Sequence, residues 1–164
     1  MKKFELTSEF VTFLGKKLFR IKALVSFGDV AEGELGGFIE KENNLDQSGN
    51  AWVSGDARVY GNARVCGNAR VCGDARVSGD AWVSGDARVQ CCRDYSATSC
   101  FGSENRTTTF FRTKDEGISV RCGCFYGTLD EFRKKVKERH GDSRLAKEYL
   151  MLADSMEFRL SKDE

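Results

Sequence analysis

The sequence predicts a mainly β protein whose central part keeps turning in one sense. Seven six-residue units follow one another without a gap from Gly49 to Gln90, and every unit contains A-x-V. This alternation places Ala and Val on one face of an extended segment and Arg or Trp on the other. The Gly-Asn or Gly-Asp that opens each unit favours a corner, because Gly tolerates positive φ and Asn or Asp bonds its own backbone.

Two other folds are excluded for this tract. A helix would lose roughly 1 kcal/mol at each glycine, and one glycine occurs in every unit. A hairpin meander would not reuse the same inward positions in identical units. Each unit is therefore predicted to be one very short strand followed by one corner of a coil.

The repeated phrase resembles that of the hexapeptide-repeat family, whose chains wind a triangular, left-handed parallel β-helix with three hexads per coil. This resemblance implies about three coils over residues 33–90 and stacks residues eighteen apart. It also implies a homotrimer packed through one face of the β-helix. The candidate oligomer surface consists of three outer columns, which are Trp52, Arg70 and Arg88; Arg58 and Arg76; and Arg64 and Trp82.

The charges in these outer columns allow two interpretations. Trp over Arg gains roughly 0.5–1 kcal/mol from a cation–π contact at an exposed site. Arg58 over Arg76 has no such partner and is expected to need an anion, a carboxylate or a neighbouring subunit. Alternatively, the surface is solvated and neutralised by nearby carboxylates of the corners, namely Asp56, Asp74, Asp80 and Asp86.

Residues 1–32 are predicted to form a β-hairpin that caps the β-helix, because an open coil exposes unpaired backbone. One strand starts at Leu18, with Phe19, Ile21, Ala23, Val25 and Phe27 on one face. The other runs from Phe10 to Leu14, before the turn G-K-K. After the hairpin, Ile39 and Leu45 are six residues apart, which suits an imperfect first coil.

The chain after the repeats is divided into a connector, residues 91–106, and a compact ββαα unit, residues 107–164. The segments T-T-T-F-F-R-T and I-S-V-R-C-G-C-F-Y-G flank the turn K-D-E-G and predict a hairpin. A capping box at Thr128 opens a helix that ends near Gly141 and buries Leu129, Phe132 and Val136. A second helix is predicted from about Ser143 to Leu160, with one apolar side formed by Leu145, Tyr149, Leu152 and Met156.

Composition narrows the possible functions. A net charge of +1 argues against a general nucleic-acid-binding protein, because such binding draws on a strong basic excess. The N-terminus lacks an uninterrupted apolar run and no segment is suited to span a membrane, so we expect a cytoplasmic protein. The seven cysteines are expected to be free thiols. Their spacings do not match a structural zinc site, so no metal or cofactor is predicted.

The chain does not carry the catalytic base that the hexapeptide-repeat resemblance implies. Enzymes of that family are mostly trimeric acyltransferases that use a histidine as general base. The one histidine, His140, lies outside the repeats at the end of a predicted helix, where it suits the helix C-terminus electrostatically. We therefore assign no catalytic residue and expect a non-catalytic protein, with an acyltransferase-like enzyme as the alternative.

A further resemblance covers most of the chain. The phrases L-F-R-I-K-A-L, G-E-L-G-G-F-I-E-K-E-N-N-L, G-C-F-Y-G-T-L-D-E-F and A-K-E-Y-L are similar to those of hexapeptide-repeat proteins of tailed bacteriophages and prophages. This resemblance implies an accessory protein that acts in the host cytoplasm by binding a host component. The expected role is counter-defence, by sequestering a small phosphorylated, nucleotide-type signal or by blocking a defence protein. A structural, polymer-forming element is a third alternative.

The residues offer one candidate ligand site and one candidate surface. Arginine, hydroxyl and glycine groups can surround phosphate oxygens, and an aromatic ring can stack on a base. The predicted ligand residues are Ser103, Asn105, Arg106, Thr107, Thr108, Arg112, Gly123 and Phe125. An ordinary polar loop, with Phe110 and Phe125 in the core, explains the same pattern. The candidate surface for an acidic partner or nucleic acid, or simply a solvated face, is Arg133, Lys134, Lys135, Lys137 and Arg139.

Overall fold

A computed structural model describes residues 1–162, which form fourteen strands, two α-helices and one short 3₁₀ helix at Glu42–Asn44. The N-terminal strands are β1 Phe4–Phe13, β2 Lys16–Ala23 and β3 Leu35–Ile39. The repeats supply β4 Trp52–Val53, β5 Arg58–Val59, β6 Arg64–Val65, β7 Arg70–Val71, β8 Arg76–Val77, β9 Trp82–Val83 and β10 Arg88–Val89. The C-terminal elements are β11 Tyr95–Phe101, β12 Arg106–Arg112, β13 Ile118–Cys122, β14 Phe125–Thr128, α1 Leu129–His140 and α2 Arg144–Leu160.

The repeat strands pair in parallel with the strand eighteen residues away, as the resemblance to hexapeptide-repeat proteins implies. Val53 lies beside Val71 and Val71 beside Val89, while β5 pairs with β8 and β6 with β9. The alanine and valine of every hexad are fully buried. Each methyl-bearing side chain therefore packs against its counterpart above and below, which makes the repeat interior one continuous apolar core.

The first coil is imperfect because it contains two more residues than a regular coil. Ile39 pairs with Val59 and Leu45 with Val65, so these partners are twenty residues apart (39 to 59 and 45 to 65). The two extra residues follow Leu45, since Leu45 and Val53 are eight residues apart where their partners Val65 and Val71 are six apart, whereas the 3₁₀ turn lies in the six-residue interval from Ile39 to Leu45. The side-chain amide of Asn44 donates to the carbonyls of Gly61 and Ala63 at 3.2 and 2.8 Å, and so replaces strand hydrogen bonds that the turn cannot make.

The N-terminal hairpin continues one face of the repeats instead of lying beside it. β1 and β2 are antiparallel, β2 pairs with β3, and β3 pairs with β5 of the repeats, giving the strand order β1-β2-β3-β5-β8. The turn is at Leu14 and Gly15, both at positive φ, rather than at G-K-K. β2 ends at Ala23, so the predicted strand positions Val25 and Phe27 lie beyond it. A register shift after Arg20 breaks the alternation: Ile21 and Ala23 are buried as predicted, but Leu18 is buried in place of Phe19.

Lys3 closes the base of the repeats. Its ammonium group donates to the carbonyl of Ala51 at 2.9 Å and also contacts the carbonyls of Ser48 and Gly49. Because this side chain is buried, desolvation lowers the pKa of Lys3 from 10.5 to about 8, against the opposing effect of Asp46. Carbonyl groups at the open end of the coil are thereby satisfied by a side chain that precedes the first strand.

The C-terminal part is a four-stranded antiparallel sheet with two helices, not the predicted ββαα unit. Its strand order is β11-β12-β13-β14. The predicted connector over residues 91–106 is wrong in part, since it contains β11, a half-exposed edge strand whose small polar residues hide its pattern. The segment from Ile118 to Thr128 is two strands, because Gly123 at positive φ reverses the chain.

Both predicted helices are confirmed. The hydroxyl of Thr128 accepts from the backbone N–H of Glu131, and the Glu131 carboxylate accepts from the backbone N–H of Thr128. α1 buries Leu129, Phe132 and Val136 as predicted. α2 begins after an N-cap at Ser143, but its fully buried face is formed by Ala146, Tyr149, Ala153 and Leu160, with Leu152 and Met156 only partly buried.

The sheet of the C-terminal unit lies across the last hexads. The backbone N–H of Trp82 donates to the Thr109 hydroxyl at 3.0 Å, and the Tyr95 hydroxyl donates to the carbonyl of Arg76 at 2.7 Å. Phe111 packs into the apolar core of the repeats. Within residues 1–162, neither helix is long and apolar enough to cross a membrane.

Candidate functional site

In the first outer column, the aromatic residue Trp52 is buried in the core. The ring of Trp52 is 1% exposed and packs edge-on against Phe27, with ring centroids 5.4 Å apart. Gly36 lies against the same ring, and a β-carbon there would come within 2.7 Å of it. The prediction that Trp52 is an outer contact residue is therefore wrong, because the loop after β2 and the start of β3 cover that position.

The second outer column is held by an aromatic ring instead of an anion. The centroid of the Phe13 ring lies 4.7 Å from the guanidinium group of Arg58 and 4.8 Å from that of Arg76. Tyr60 packs edge-on against the same ring at 5.5 Å between centroids. Both like charges are thus stabilised by the π-system of one side chain from the hairpin.

The remaining outer residues also contact the chain itself. The ring of Trp82 lies 5.1 Å from the Arg64 guanidinium and 3.8 Å from that of Arg121, so the expected cation–π contact is present and a second one is added. Arg70 forms an ion pair with Asp29. Arg88 donates to the backbone carbonyls of Asn68 and Ala87 at 3.0 and 2.8 Å.

Carboxylates of the corners take a different role from the one predicted. Asp80 accepts from the amide of Asn62 at 3.2 Å, and Asp86 accepts from the amide of Asn68 at 3.3 Å. Asn68 in turn accepts from the amide of Asn50 at 3.3 Å. These two carboxylates therefore extend side-chain ladders between neighbouring coils, since residues eighteen apart stack at the corners as they do on the faces.

A cavity of about 340 Å³ lies in the C-terminal unit, between the loop before β12, the β13–β14 turn and the helices. Its walls come from four separate segments of the chain. The lining residues are Ser103, Glu104, Arg106, Cys122, Cys124, Phe125, Tyr126, Phe132, Lys135, Val136, Arg139, His140 and Tyr149. We call this cavity the C-terminal pocket.

The charged groups of the C-terminal pocket are mostly basic. The lining contains three cationic side chains, Arg106, Lys135 and Arg139, together with the imidazole of His140, and Glu104 is its one carboxylate. Glu104 bridges the two arginines, with one oxygen 2.8 Å from Nη2 of Arg106 and the other 3.6 Å from Nη2 of Arg139. The pocket therefore presents an excess of positive charge at its rim.

Aromatic side chains form the floor of the pocket. Phe132 packs against Phe125 at 5.6 Å and against Tyr149 at 5.9 Å between ring centroids. His140 stacks on Tyr149 at 5.7 Å, with the ring planes only 22° apart. Because a planar aromatic ligand can stack on such rings, the floor offers a place for a nucleobase.

The structure brings together half of the predicted ligand residues. Ser103, Arg106 and Phe125 line the pocket. Gly123 lies directly beneath Arg106, where a β-carbon would be 2.6 Å from Nη1. Glycine at this turn therefore allows the guanidinium to lie flat across the backbone.

The other four predicted ligand residues lie outside the lining of the pocket. Asn105 is an exposed turn residue at positive φ, and the Thr107 hydroxyl bonds that of Ser99 on the opposite face of the sheet. Thr108 is buried and donates to the sulfur of Cys122 at 3.2 Å. Arg112 lies at the other end of β12, six residues and roughly 20 Å from Arg106. Its guanidinium donates to the carbonyl of Leu160 at 2.8 Å.

Sequence reasoning did not assign Lys135, Arg139, His140 and Tyr149 to the ligand site, although it placed Lys135 and Arg139 on the candidate basic surface. Spacing gives a signal for two of them, because Lys135 and Arg139 are four residues apart and share a helix face. Arg133 belongs to a different face and contacts Glu157 and Asp154 of α2, each at 2.6 Å. The hydrogen bonds that Arg133 donates to the carboxylates of Glu157 and Asp154 raise the pKa of its guanidinium above the usual value. The predicted basic surface is therefore divided: Lys135 and Arg139 line the pocket, whereas Arg133 contacts α2.

The parallel hexad stack and its buried Ala and Val columns define a repeat β-solenoid protein. A family described as the YdcK β-solenoid repeat matches residues 51–67, 57–71, 63–79 and 69–85, which together span 51–85. No match was found among curated proteins. The family match covers repeat strands only, so the C-terminal pocket lies outside it.

Proposed function

We propose that this repeat β-solenoid protein is a non-catalytic binding protein whose C-terminal pocket takes a small phosphorylated ligand of nucleotide type. The supporting observation is the combination in one cavity of three cationic side chains at the rim with stacked aromatic rings on the floor. Neither feature alone would favour a nucleotide over a simple anion or an apolar molecule.

The rim suits phosphate. Guanidinium groups form paired, charge-assisted hydrogen bonds with phosphate oxygens, and the arginines approach from two sides of the pocket, Arg106 from β12 and Arg139 from α1. Gly123 adds a backbone turn at positive φ beneath Arg106. The phosphate would therefore be held between β12, which carries Arg106, and α1, which carries Arg139.

The floor suits a base. His140 and Phe125 belong to a contiguous aromatic cluster that is built on the buried rings of Phe132 and Tyr149. The volume lies at the small end of the roughly 300–1,000 Å³ typical of ligand pockets. One base with a sugar and one or two phosphates is therefore the favoured ligand size, not a nucleic-acid chain.

The proposal extends to the rest of the molecule. We propose that the hexads wind in the left-handed sense over about three coils and that the solenoid supports a homotrimer. The resemblance to proteins of tailed phages supports a role as a phage accessory protein in the host cytoplasm. There the protein would bind a host component, by preference sequestering a small phosphorylated signal of a defence system, or else blocking a defence protein.

Isothermal titration calorimetry with nucleotides, cyclic dinucleotides and ADP-ribose derivatives tests the pocket. We expect one class to bind the unmodified protein and Arg139→Ala to weaken that binding at least about tenfold. Arg93→Ala is the matched control, because Arg93 is exposed and lies outside the pocket lining. Absence of binding across the panel, or equal losses in the two variants, would contradict the proposal.

A further inference from the structure

Glu104 occupies the position between the two arginines of the C-terminal pocket. Its carboxylate oxygens lie 2.8 Å from Arg106 Nη2 and 3.6 Å from Arg139 Nη2. Glu104 is in the turn immediately before β12, and its side chain is about half exposed. The pocket therefore carries its own anion, attached to the chain and placed where a ligand phosphate would bind.

We infer that Glu104 acts as an internal competitor that a ligand phosphate must displace, and that the pocket selects ligands with a terminal phosphate monoester over phosphodiesters. This inference rests on the proposed function, because it names which class of phosphorylated ligand the same pocket takes. Its basis is the charge and the number of oxygens that a ligand must bring to displace an attached carboxylate.

The comparison of charges favours a monoester. A carboxylate carries one negative charge and two oxygens, and its attachment to the neighbouring backbone gives it a high effective concentration. A phosphodiester also carries a single charge, so it gains little electrostatically when it replaces Glu104. A terminal phosphate carries about −1.5 to −2 charges at pH 7 and three strongly accepting oxygens.

A third cation can use the additional oxygen. Lys135 lines the same pocket, its side chain is 63% exposed, and its ion pair with Glu138 is long, at 3.9 Å. An ion pair of this kind contributes little and is easily exchanged. A terminal phosphate can therefore contact Arg106, Arg139 and Lys135 together, whereas Glu104 contacts only the two arginines.

Calorimetry with a matched pair of probes tests the inference. AMP and cyclic AMP share the base and the sugar and differ in whether the phosphate is a monoester or a diester. We expect the unmodified protein to bind AMP at least about tenfold more tightly than cyclic AMP. In Glu104→Gln, both affinities should rise by a similar factor, because both probes no longer have to displace the same carboxylate.

Glu42→Gln is the control variant, because Glu42 also forms an exposed ion pair, with Lys2, and lies outside the C-terminal pocket. It should leave both affinities unchanged. Equal affinities for the two probes with no effect of Glu104→Gln would overturn the inference and leave the proposed function standing. Lack of binding by every variant, to these probes and to the wider nucleotide panel, would overturn the proposed function itself.

Discussion

The backbone N–H of Ser103 donates a hydrogen bond to the hydroxyl of Tyr149, with 3.1 Å between nitrogen and oxygen. This bond joins the loop before β12 to the middle of α2. The Tyr149 ring also stacks on His140 and packs against Phe132. One buried side chain thus positions both the charged rim and the aromatic floor of the C-terminal pocket.

Tyr149→Phe should weaken ligand binding and slightly destabilise the fold. Without the hydroxyl, the N–H of Ser103 loses its acceptor and the loop that carries Glu104 is no longer held against α2. We expect a loss of about 1 kcal/mol in the free energy of unfolding and a several-fold loss of affinity. Urea denaturation and calorimetry measure the two quantities.

Tyr95→Phe is the control for that substitution. It removes a comparable hydrogen bond, from the Tyr95 hydroxyl to the Arg76 carbonyl, outside the pocket. Its stability loss should be similar, but its ligand affinity should match that of the unmodified protein. A parallel loss of affinity in both variants would show that Tyr149 acts only through overall stability.

Phe13→Ala should destabilise the solenoid by about 2 kcal/mol, through two lost cation–π contacts and lost apolar burial. The guanidinium groups of Arg58 and Arg76 would then both lose the ring that stabilises their charge. Phe10→Ala removes a ring of the same strand that is 45% exposed and contacts only Lys17 among the cations. Urea denaturation should therefore rank Phe13→Ala as the more damaging change, and the reverse order would contradict this interpretation.

Gly36→Ala should cost more than about 2 kcal/mol, because overpacking in a closed core forces the surrounding chain to move. A β-carbon at Gly36 would lie 2.5 Å from both Ile21 Cγ1 and the carbonyl oxygen of Val53. Gly117→Ala is the control, since the nearest atom there is the Thr113 hydroxyl at 3.3 Å. Thermal and urea unfolding of both variants would detect the difference, and similar small effects would disprove tight packing at β3.

The stability of the protein should rise between about pH 7.5 and pH 9 because of Lys3. Its pKa is about 8 in the folded protein and 10.5 ordinarily, so the folded state releases the proton first. The unfolded state then binds more protons over this range, and unfolding becomes less favourable as the pH increases. We expect Lys3 to contribute a gain of about 1 kcal/mol.

Comparison with Lys3→Met isolates that contribution. The variant keeps an apolar stem of similar length but has no group that titrates at this position. Urea denaturation across the same pH range should give a steeper rise for the unmodified protein than for the variant. Identical pH profiles would show that the ammonium group of Lys3 is not destabilised by burial.

The hexads and the helices could be predicted because their signals are local. Gly at each corner, Ala and Val at alternating positions, and Thr128 three residues before Glu131 all act within a few residues of chain. β11 could not be predicted in this way, because it is an edge strand with few apolar residues and depends on β12 for its hydrogen bonds.

Trp52 and Trp82 occupy the same position in their hexads, yet Trp52 is buried against Phe27 and Trp82 contacts the guanidinium groups of two arginines. The repeat decided only that both rings point away from the Ala and Val core. What covers each ring comes from a segment at least fifteen residues away, and the repeat pattern holds no information about it.

The sequence by itself thus determined the parallel stack of hexads, its apolar interior and the two capped helices, since each follows from periodicity or from contacts between near neighbours. Only the tertiary structure decided the C-terminal pocket, where Ser103 and Arg106 meet Gly123, Arg139 and Tyr149. Those residues belong to separate elements, and burial of the shared aromatic floor is what brings them together.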